Sequence, residues 1–146
     1  IMNLSKLLLI FCVTLLGAIS AGNAALAQEK IDVATAINLA QNGDALLLDI
    51  RTPAEWKKTG VSPLAKTLNM HSSSFGEDLM RLINSNRDVP IAVICATGGR
   101  SAYLSSLLDD AGFSAVYDVT EGMLGSTAGP GWIGAGLPTI AYNPSR

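Results

Sequence analysis

A short apolar run that ends on a cysteine constrains this sequence more than any other stretch. Residues 91–94 are Ile-Ala-Val-Ile, a pattern typical of a strand covered on both faces, and Pro90 fits the first position of such a strand. From Ser101 onward, apolar residues recur at helical spacing until Gly112, which favours a helix end. The sequence therefore predicts a strand, a tight turn over residues 95–100, and a helix.

Cys95 begins this turn, and its surroundings favour a reactive thiol. In a strand-to-helix turn, successive backbone N–H groups can point at one atom, and the helix adds the positive end of its dipole. Gly98 and Gly99 permit the positive φ angles and the close approach that such a turn requires. We expect these dipoles and the Arg100 cation to stabilise a Cys95 thiolate at the rim of the loop. The alternative is a buried, unreactive cysteine that behaves as a small apolar residue.

The segment 95–101, Cys-Ala-Thr-Gly-Gly-Arg-Ser, resembles the active-site loop C-x-x-G-x-R-S of the rhodanese family of sulfurtransferases. Residues 47–56 and 107–113, together with Glu121-Gly122, resemble further motifs of that family. The resemblance implies an α/β fold: a three-layer domain with a mainly parallel central sheet of about five strands and helices on both faces. The alternation of predicted strands and helices favours the same architecture.

The resemblance also implies roles for the loop residues. Cys95 is expected to be the catalytic nucleophile. The expected substrate-binding residues are those that follow it: Ala96, Thr97, Gly98, Gly99, Arg100 and Ser101. We expect them to act mainly through backbone N–H groups, with Arg100 either pairing with an anionic substrate or supporting the loop. For Ser101, a structural role at the helix start is favoured over a direct catalytic one.

Asp49 and Arg51 end the strand predicted over residues 45–50. In rhodanese-like domains the matching acidic residue lies near the active-site loop, so both residues are expected to support the site. A structural salt bridge or a helix cap at Thr52-Pro53 is favoured over contact with substrate. His71 is the only histidine, and a lone histidine without a cluster of other ligands is poor evidence for a metal. We therefore expect neither a metal nor another cofactor.

The spacing between Cys95 and Arg100 separates two kinds of chemistry. Four residues lie between them, whereas cysteine phosphatases resemble C-x5-R, whose longer loop suits a tetrahedral phosphate. The shorter loop favours a sulfurtransferase that forms a persulfide on Cys95. The expected partners are a small anionic sulfur donor such as thiosulfate and an acceptor that is cyanide, a thiol or a protein thiol. A persulfide relay or redox-sensing module without turnover is an alternative, and a phosphatase is a weaker one.

Residues 1–27 have the features of a secretory signal peptide. Lys6 is followed by an apolar run over residues 7–19, and Ala25-Leu26-Ala27 forms a small-x-small cleavage site. We expect cleavage there, a mature domain over residues 28–146, and a periplasmic or otherwise exported location without a stable membrane anchor. A membrane anchor is the alternative. The charge is nearly balanced, with 10 basic and 12 acidic residues and no basic patch, which argues against a nucleic-acid partner.

Capping residues and apolar spacing predict the remaining elements. Asp32 is expected to cap a helix that ends at Asn42-Gly43, and Thr52-Pro53 to begin another. A short strand is predicted over residues 67–70, a helix over 74–84, and a strand over 115–119, followed by a glycine-rich loop. The residues expected to be buried in these later elements and in the tail are Phe75, Leu79, Leu82, Ile83, Tyr103, Leu104, Leu107, Met123, Trp132 and Ile133.

Overall fold

The computed structural model describes residues 28–145, which form a parallel sheet flanked by helices. The strands are β1 (Glu29–Ile31), β2 (Leu46–Asp49), β3 (Lys66–Thr67), β4 (Ile91–Ile94) and β5 (Val116–Val119). They lie in the order β1-β5-β4-β2-β3, and every neighbouring pair is parallel. The helices are α1 (Val33–Asn42), α2 (Pro53–Thr59), α3 (Phe75–Leu82), α4 (Gly99–Asp110) and α5 (Gly131–Gly134). The predicted sheet of about five strands is confirmed.

The central strand β4 divides the core into two layers. Ala92 and Ile94 pack on one face of the sheet with residues of α1 and α5. Ile91 and Val93 pack on the opposite face with residues of α3 and α4. All four residues are fully buried, as expected for a strand in a sheet that is covered on both sides. The predicted placement of helices on both faces is therefore confirmed.

Side-chain caps determine where α1 and α2 begin. Asp32 accepts a hydrogen bond of 2.7 Å from the Thr35 N–H, and Gly43 ends α1 in the left-handed conformation. At α2, Thr52 and Glu55 form a reciprocal capping box, with a proline in the first turn. Both predicted helix starts, and the predicted end of α1, are confirmed.

The segment after β5 supports the loop that follows β4. The N–H groups of Met123 and Leu124 donate to the carbonyls of Cys95 and Ala96, each at 2.8 Å. Trp132 is fully buried and donates its indole N–H to a carbonyl of the tail at 3.0 Å. The tail is therefore anchored in the core and bonded to the backbone that carries Cys95.

Four residues that the sequence predicts to be buried are exposed: Leu82, Tyr103, Leu107 and Ile133. On α4 the reason is the composition of the buried face, which consists of Ser101, Leu104, Ser105 and Leu108. Ser101 and Ser105 lie on the same side of the helix as Leu104 and Leu108, so the buried face includes two polar residues. Tyr103 lies on another side of the helix and is 61% exposed. The other two exposed residues lie near the ends of short helices.

Several elements differ from their predicted boundaries. β3 is shorter than predicted, although the N–H groups of Leu68 and Met70 still donate to carbonyls at the end of β2. α3 stops before residue 84, because Asn84 and Ser85 have positive φ angles, which a right-handed helix does not allow. In the tail, the predicted loop contains the one-turn helix α5.

The predicted signal peptide, residues 1–27, lies outside the residues that the structure describes. Within residues 28–145, no helix is long and apolar enough to cross a membrane. In the same part of the chain, no group of three or more histidine, cysteine, aspartate or glutamate side chains could hold a metal ion.

The close approach of the tail to the Cys95 loop depends on Gly122. Its φ is +68°, and a Cβ there would overlap the Ala96 carbonyl and the backbone nitrogen of Thr97. We predict that Gly122→Ala lowers the free energy of unfolding by more than about 2 kcal/mol, because backbone strain and a clash with backbone atoms add together. Urea unfolding followed by tryptophan fluorescence measures this loss.

Gly136→Ala is the matched control for that variant. Gly136 has a similar φ of +72°, but no heavy atom lies within 4 Å of the position that its Cβ would take. We expect a loss of about 1 kcal/mol from the backbone conformation alone. If Gly122→Ala and Gly136→Ala lost equal free energies of unfolding, the close approach of the Ala96 backbone would not be the reason for glycine at position 122.

Candidate active site

Cys95 follows β4 at the carboxyl end of the parallel sheet, where open α/β sheets place their functional sites. Its side chain turns inward, and the residue is only 1% exposed. It packs in the apolar layer that contains Leu104 of α4. The prediction of a thiol at the rim of the loop is therefore wrong, because the turn over residues 96–98 folds back onto the sulfur.

Two polar groups contact Cys95 Sγ. The Gly98 N–H donates to Sγ at 3.1 Å, and Ser101 Oγ lies 3.6 Å from it. Gly98 has a φ of +88°, and a Cβ there would overlap the Thr120 carbonyl, so this turn requires glycine. The expected convergence of amides on the sulfur is realised here by one amide, that of Gly98.

The first turn of α4 presents N–H groups that have no acceptor within residues 28–145. They belong to Gly99, Arg100 and Ser101, and the N–H groups of Ala96 and Thr97 also lack an acceptor there. The N-cap residue is a glycine, which has no side chain with which to satisfy them. Unpaired N–H groups at a helix N-terminus favour negative charge beside them. The structure thus brings the predicted substrate-binding residues together next to Cys95.

Arg100 is held by Glu55 of α2. Its Nη1 and Nη2 atoms donate to the two carboxylate oxygens of Glu55 at 2.9 and 2.5 Å. The hydrogen bonds from Arg100 outweigh the effect of burial and lower the pKa of Glu55 from 4.5 to about 2. The same bonds raise the pKa of Arg100. The Arg100 side chain therefore ties α4 to α2.

Glu55 was not predicted from the sequence to be a site residue. It lies 45 residues before Arg100, so no local pattern links the two. The available signal was its place in the capping box with Thr52, since a capping carboxylate is held rigidly at the start of a helix.

Asp49 and Arg51 form a buried ion pair of 2.6 Å. Arg51 also donates to Thr59 Oγ1 and to the Gly60 carbonyl, and Trp56 Nε1 donates to Asp49 at 3.0 Å. The structural salt bridge that the sequence favoured is present. Because these bonds join the middle and the C-terminal end of α2 to the end of β2, the pair holds that helix in place.

Ser101 joins Cys95 to a buried carboxylate on β5. Its hydroxyl donates to Asp118 Oδ1 at 2.6 Å, and its Oγ also lies 3.0 Å from the Gly98 carbonyl. Asp118 is 1% exposed. Burial raises the pKa of Asp118, while the Ser101 hydrogen bond and the charge of Lys30 act in the opposite direction. Asp118 was not predicted from the sequence to be a site residue; the available signal was a single charged residue inside an otherwise uncharged strand.

An open cavity of about 430 Å³ borders the loop on the side of β5. Its lining residues are Lys30, Thr97, Gly98, Ala102, Asp118, Thr120, Ser126, Thr127 and Ala128. The lining carries four hydroxyl groups, one carboxylate and one amine, so it suits small polar molecules and water.

The fold and the site define a class of protein. Proteins of this class are parallel α/β domains in which a cysteine at the end of the central strand lies beside the uncapped start of a helix. The chain belongs to the rhodanese-like domain family, which matches residues 32–128.

Several named proteins and solved structures are similar to this chain. A sulfurtransferase from Allochromatium vinosum is 32% identical over 103 residues, which cover 70% of this chain and 85% of that protein. The polysulfide-sulfur transferase homodimer of Wolinella succinogenes is similar with a TM-score of 0.61 and 25% identity, covering 80% of this chain and 81% of that one. A Rhodopseudomonas palustris protein of unknown function, described as a possible tyrosine phosphatase, has a TM-score of 0.60 and 26% identity, covering 77% of this chain and 85% of that one.

The ion pair between Glu55 and Arg100 should stabilise the protein in a pH-dependent way. We predict that Glu55→Gln lowers the free energy of unfolding by about 1 kcal/mol at pH 7, since glutamine keeps the capping box but removes a partly exposed ion pair. The folded-state pKa of Glu55 is depressed, so its contribution is present above pH 4.5 and is lost as the pH falls towards about 2. Urea unfolding of both proteins at pH 7 and pH 3 should show the difference shrinking at the lower pH.

Asp78→Asn provides the control for this experiment. Asp78 pairs with Arg81 on the surface of α3, three residues along the same helix. We expect its removal to leave the free energy of unfolding at pH 7 almost unchanged, because this pair is screened by solvent. A Glu55→Gln effect that is the same at both pH values would contradict the assignment.

Proposed function

We propose that this protein is a sulfurtransferase that moves sulfane sulfur from thiosulfate or a similar anionic donor to a thiophilic acceptor, cyanide or a thiol, through a persulfide on Cys95. The observation that carries the proposal is the turn in which the Gly98 N–H donates to Sγ beside the uncapped start of α4. Membership of the rhodanese-like family and similarity to a named sulfurtransferase support it.

The proposed reaction is a double displacement. The Cys95 thiolate attacks the outer sulfur of thiosulfate, the S–S bond of the donor breaks, and sulfite leaves with the bonding electrons. The acceptor then attacks the terminal sulfur of the persulfide, and the Cys95–sulfur bond breaks to return the thiolate. The negative charge of the thiolate, and then of the persulfide, is stabilised by the N–H groups around the start of α4.

The burial of Cys95 restricts which donors can react. Cys95 is 1% exposed, and its Sγ atom lies inside the turn that Gly98 closes. The outer sulfur of the donor must therefore enter between the N–H groups of the loop. In a persulfide the terminal sulfur stands about 2 Å beyond Sγ. The amides of residues 99–101, which have no acceptor within residues 28–145, are then available to bind that sulfur.

The charge of Arg100 is already balanced by Glu55. An anionic donor therefore gains less from this arginine than the sequence suggested. Neutral N–H dipoles are left as the main source of positive potential at the sulfur, which favours small donors whose charge can approach closely. The loop, with four residues between Cys95 and Arg100, is also small for a phosphate group.

We also propose that the chain is exported and that residues 1–27 are removed. The basis is the signal-like composition of that segment. Within residues 28–145 Cys95 is a free thiol and the sole cysteine, so it has no intramolecular disulfide partner there in an oxidising compartment.

Cys95 should be required for both half-reactions. We predict that Cys95→Ser and Cys95→Ala lower thiosulfate:cyanide turnover by more than about a thousandfold, because each removes the nucleophile. Intact mass after treatment with thiosulfate should show a gain of about 32 Da in the wild type and none in either variant. Serine serves as the matched replacement, since it keeps the size and polarity of the side chain.

The same samples separate the alternatives. Wild-type loading with thiosulfate but no transfer to cyanide would indicate a persulfide relay instead of a turnover enzyme. Hydrolysis of an aryl phosphate that depends on Cys95 would indicate a phosphatase. Full turnover by Cys95→Ala would refute the proposed mechanism.

A further inference from the structure

A continuous line of polar atoms leads from Cys95 to the cavity beside β5. Cys95 Sγ lies 3.6 Å from Ser101 Oγ, which lies 2.6 Å from Asp118 Oδ1. All three residues are at most 1% exposed. Asp118 in turn lines the open cavity of about 430 Å³. The proposed sulfur-transfer mechanism assigns no role to this carboxylate.

The central hydroxyl has one hydrogen, so its donation to one partner excludes donation to another. The 2.6 Å distance to Asp118 is typical of an O–H donated to an ionised carboxylate. While that bond exists, Ser101 Oγ can only accept a hydrogen from Cys95, which stabilises the thiol form. If Asp118 is protonated, its O–H can donate to Ser101 Oγ, which frees the serine hydrogen for the Gly98 carbonyl at 3.0 Å or for Sγ at 3.6 Å. A charged thiolate is the stronger acceptor of the two, so the freed hydrogen stabilises the thiolate form.

We propose that Asp118 is a positioning residue for Cys95: through Ser101 it sets the direction of the hydrogen bond at the sulfur, so that ionised Asp118 holds Cys95 as a thiol and neutral Asp118 releases it as a thiolate. As a statement about catalysis, this inference rests on the proposed sulfurtransferase function. As a statement about the protonation of Cys95, it stands independently of any sulfur donor.

At the sulfur, the charge that acts on Cys95 is that of Arg100, which is paired with Glu55. Few charged groups face Asp118. On β1, Lys30 is the register partner of Asp118 and borders the same cavity. On β4 the register partner is Val93, which carries no charge, and on α4 the contact is Ser101. Burial raises the pKa of Asp118, which brings the neutral form closer to physiological pH, and Lys30 opposes that shift.

The test is a pH titration of Cys95 in the full chain, followed by NMR of 13Cβ-labelled cysteine, with Cys95→Ser used to assign the signal. This readout needs no reagent to reach the buried sulfur. Asparagine has nearly the same shape as aspartate, and in Asp118→Asn we expect the midpoint of the Cys95 titration to fall by about one pH unit. Below the midpoint, this shift corresponds to about a tenfold larger thiolate fraction. Asp88→Asn, an exposed change, should leave the midpoint unaltered.

Ser101→Ala separates a role for the hydroxyl from a direct effect of charge. In the Ser101→Ala background, Asp118→Asn should move the midpoint by less than about a third of the shift seen with Ser101 present, because the coupling passes through the hydroxyl. An equal shift in both backgrounds, or an unchanged or higher midpoint in Asp118→Asn alone, would overturn the proposal. Dispersed amide spectra for every variant confirm that each is folded.

A sulfurtransfer assay on the same variants distinguishes this inference from the proposed function. If the wild type transfers sulfur, Asp118→Asn should raise kcat/KM for thiosulfate several-fold at neutral pH. If no variant transfers sulfur while the NMR midpoint still shifts through Ser101, the proposed function fails and the positioning role of Asp118 stands.

Discussion

The site depends on one tight turn, in which the chain leaves β4 at Cys95 and returns its Gly98 N–H to the sulfur of that cysteine. The turn is possible because Gly98 adopts a positive φ where a Cβ would meet the Thr120 carbonyl. It fixes three things together: the inward direction of Sγ, the start of α4, and the absence of a side-chain cap on that helix. The N–H groups next to the thiol that find no acceptor in the described part of the chain are a consequence of this geometry.

Two other parts of the fold hold the turn in place. From one side, the tail donates two backbone hydrogen bonds to the residues at its start, and the buried Trp132 anchors that tail. From the other side, the ion pair between Glu55 and Arg100 ties α4 to α2, and α2 is fixed in turn by the buried pair of Asp49 and Arg51. Charge at the site is therefore used mainly for support, and peptide dipoles are left to stabilise a reacting sulfur.

The features that could be predicted from the sequence are those that depend on residues close together in the chain. The caps at Asp32 and Thr52 depend on residues within one helical turn, and β4 and its glycine turn depend on consecutive residues, so their patterns were sufficient. The pairing of Glu55 with Arg100 joins residues 45 positions apart, and no local pattern relates them.

The errors on α4 have one physical cause, namely polar residues on a buried face. On α4 the two serines take buried positions, which turned Tyr103 outward against the apolar pattern. One of those serines, Ser101, has a hydrogen-bond acceptor in Asp118 of β5, and the Gly98 carbonyl also lies within 3.0 Å of its hydroxyl. The burial of Cys95 could not be predicted either, because it depends on how the turn over residues 96–98 folds back onto the sulfur and on the apolar layer that includes Leu104.

The most direct measurement of the central claim is a crystal structure of the protein after treatment with thiosulfate. The account predicts one additional sulfur atom bonded to Cys95 Sγ, within hydrogen-bond distance of the N–H groups at the start of α4. An unmodified Cys95 in crystals of protein that transfers sulfur, or an added sulfur directed away from those N–H groups, would contradict it.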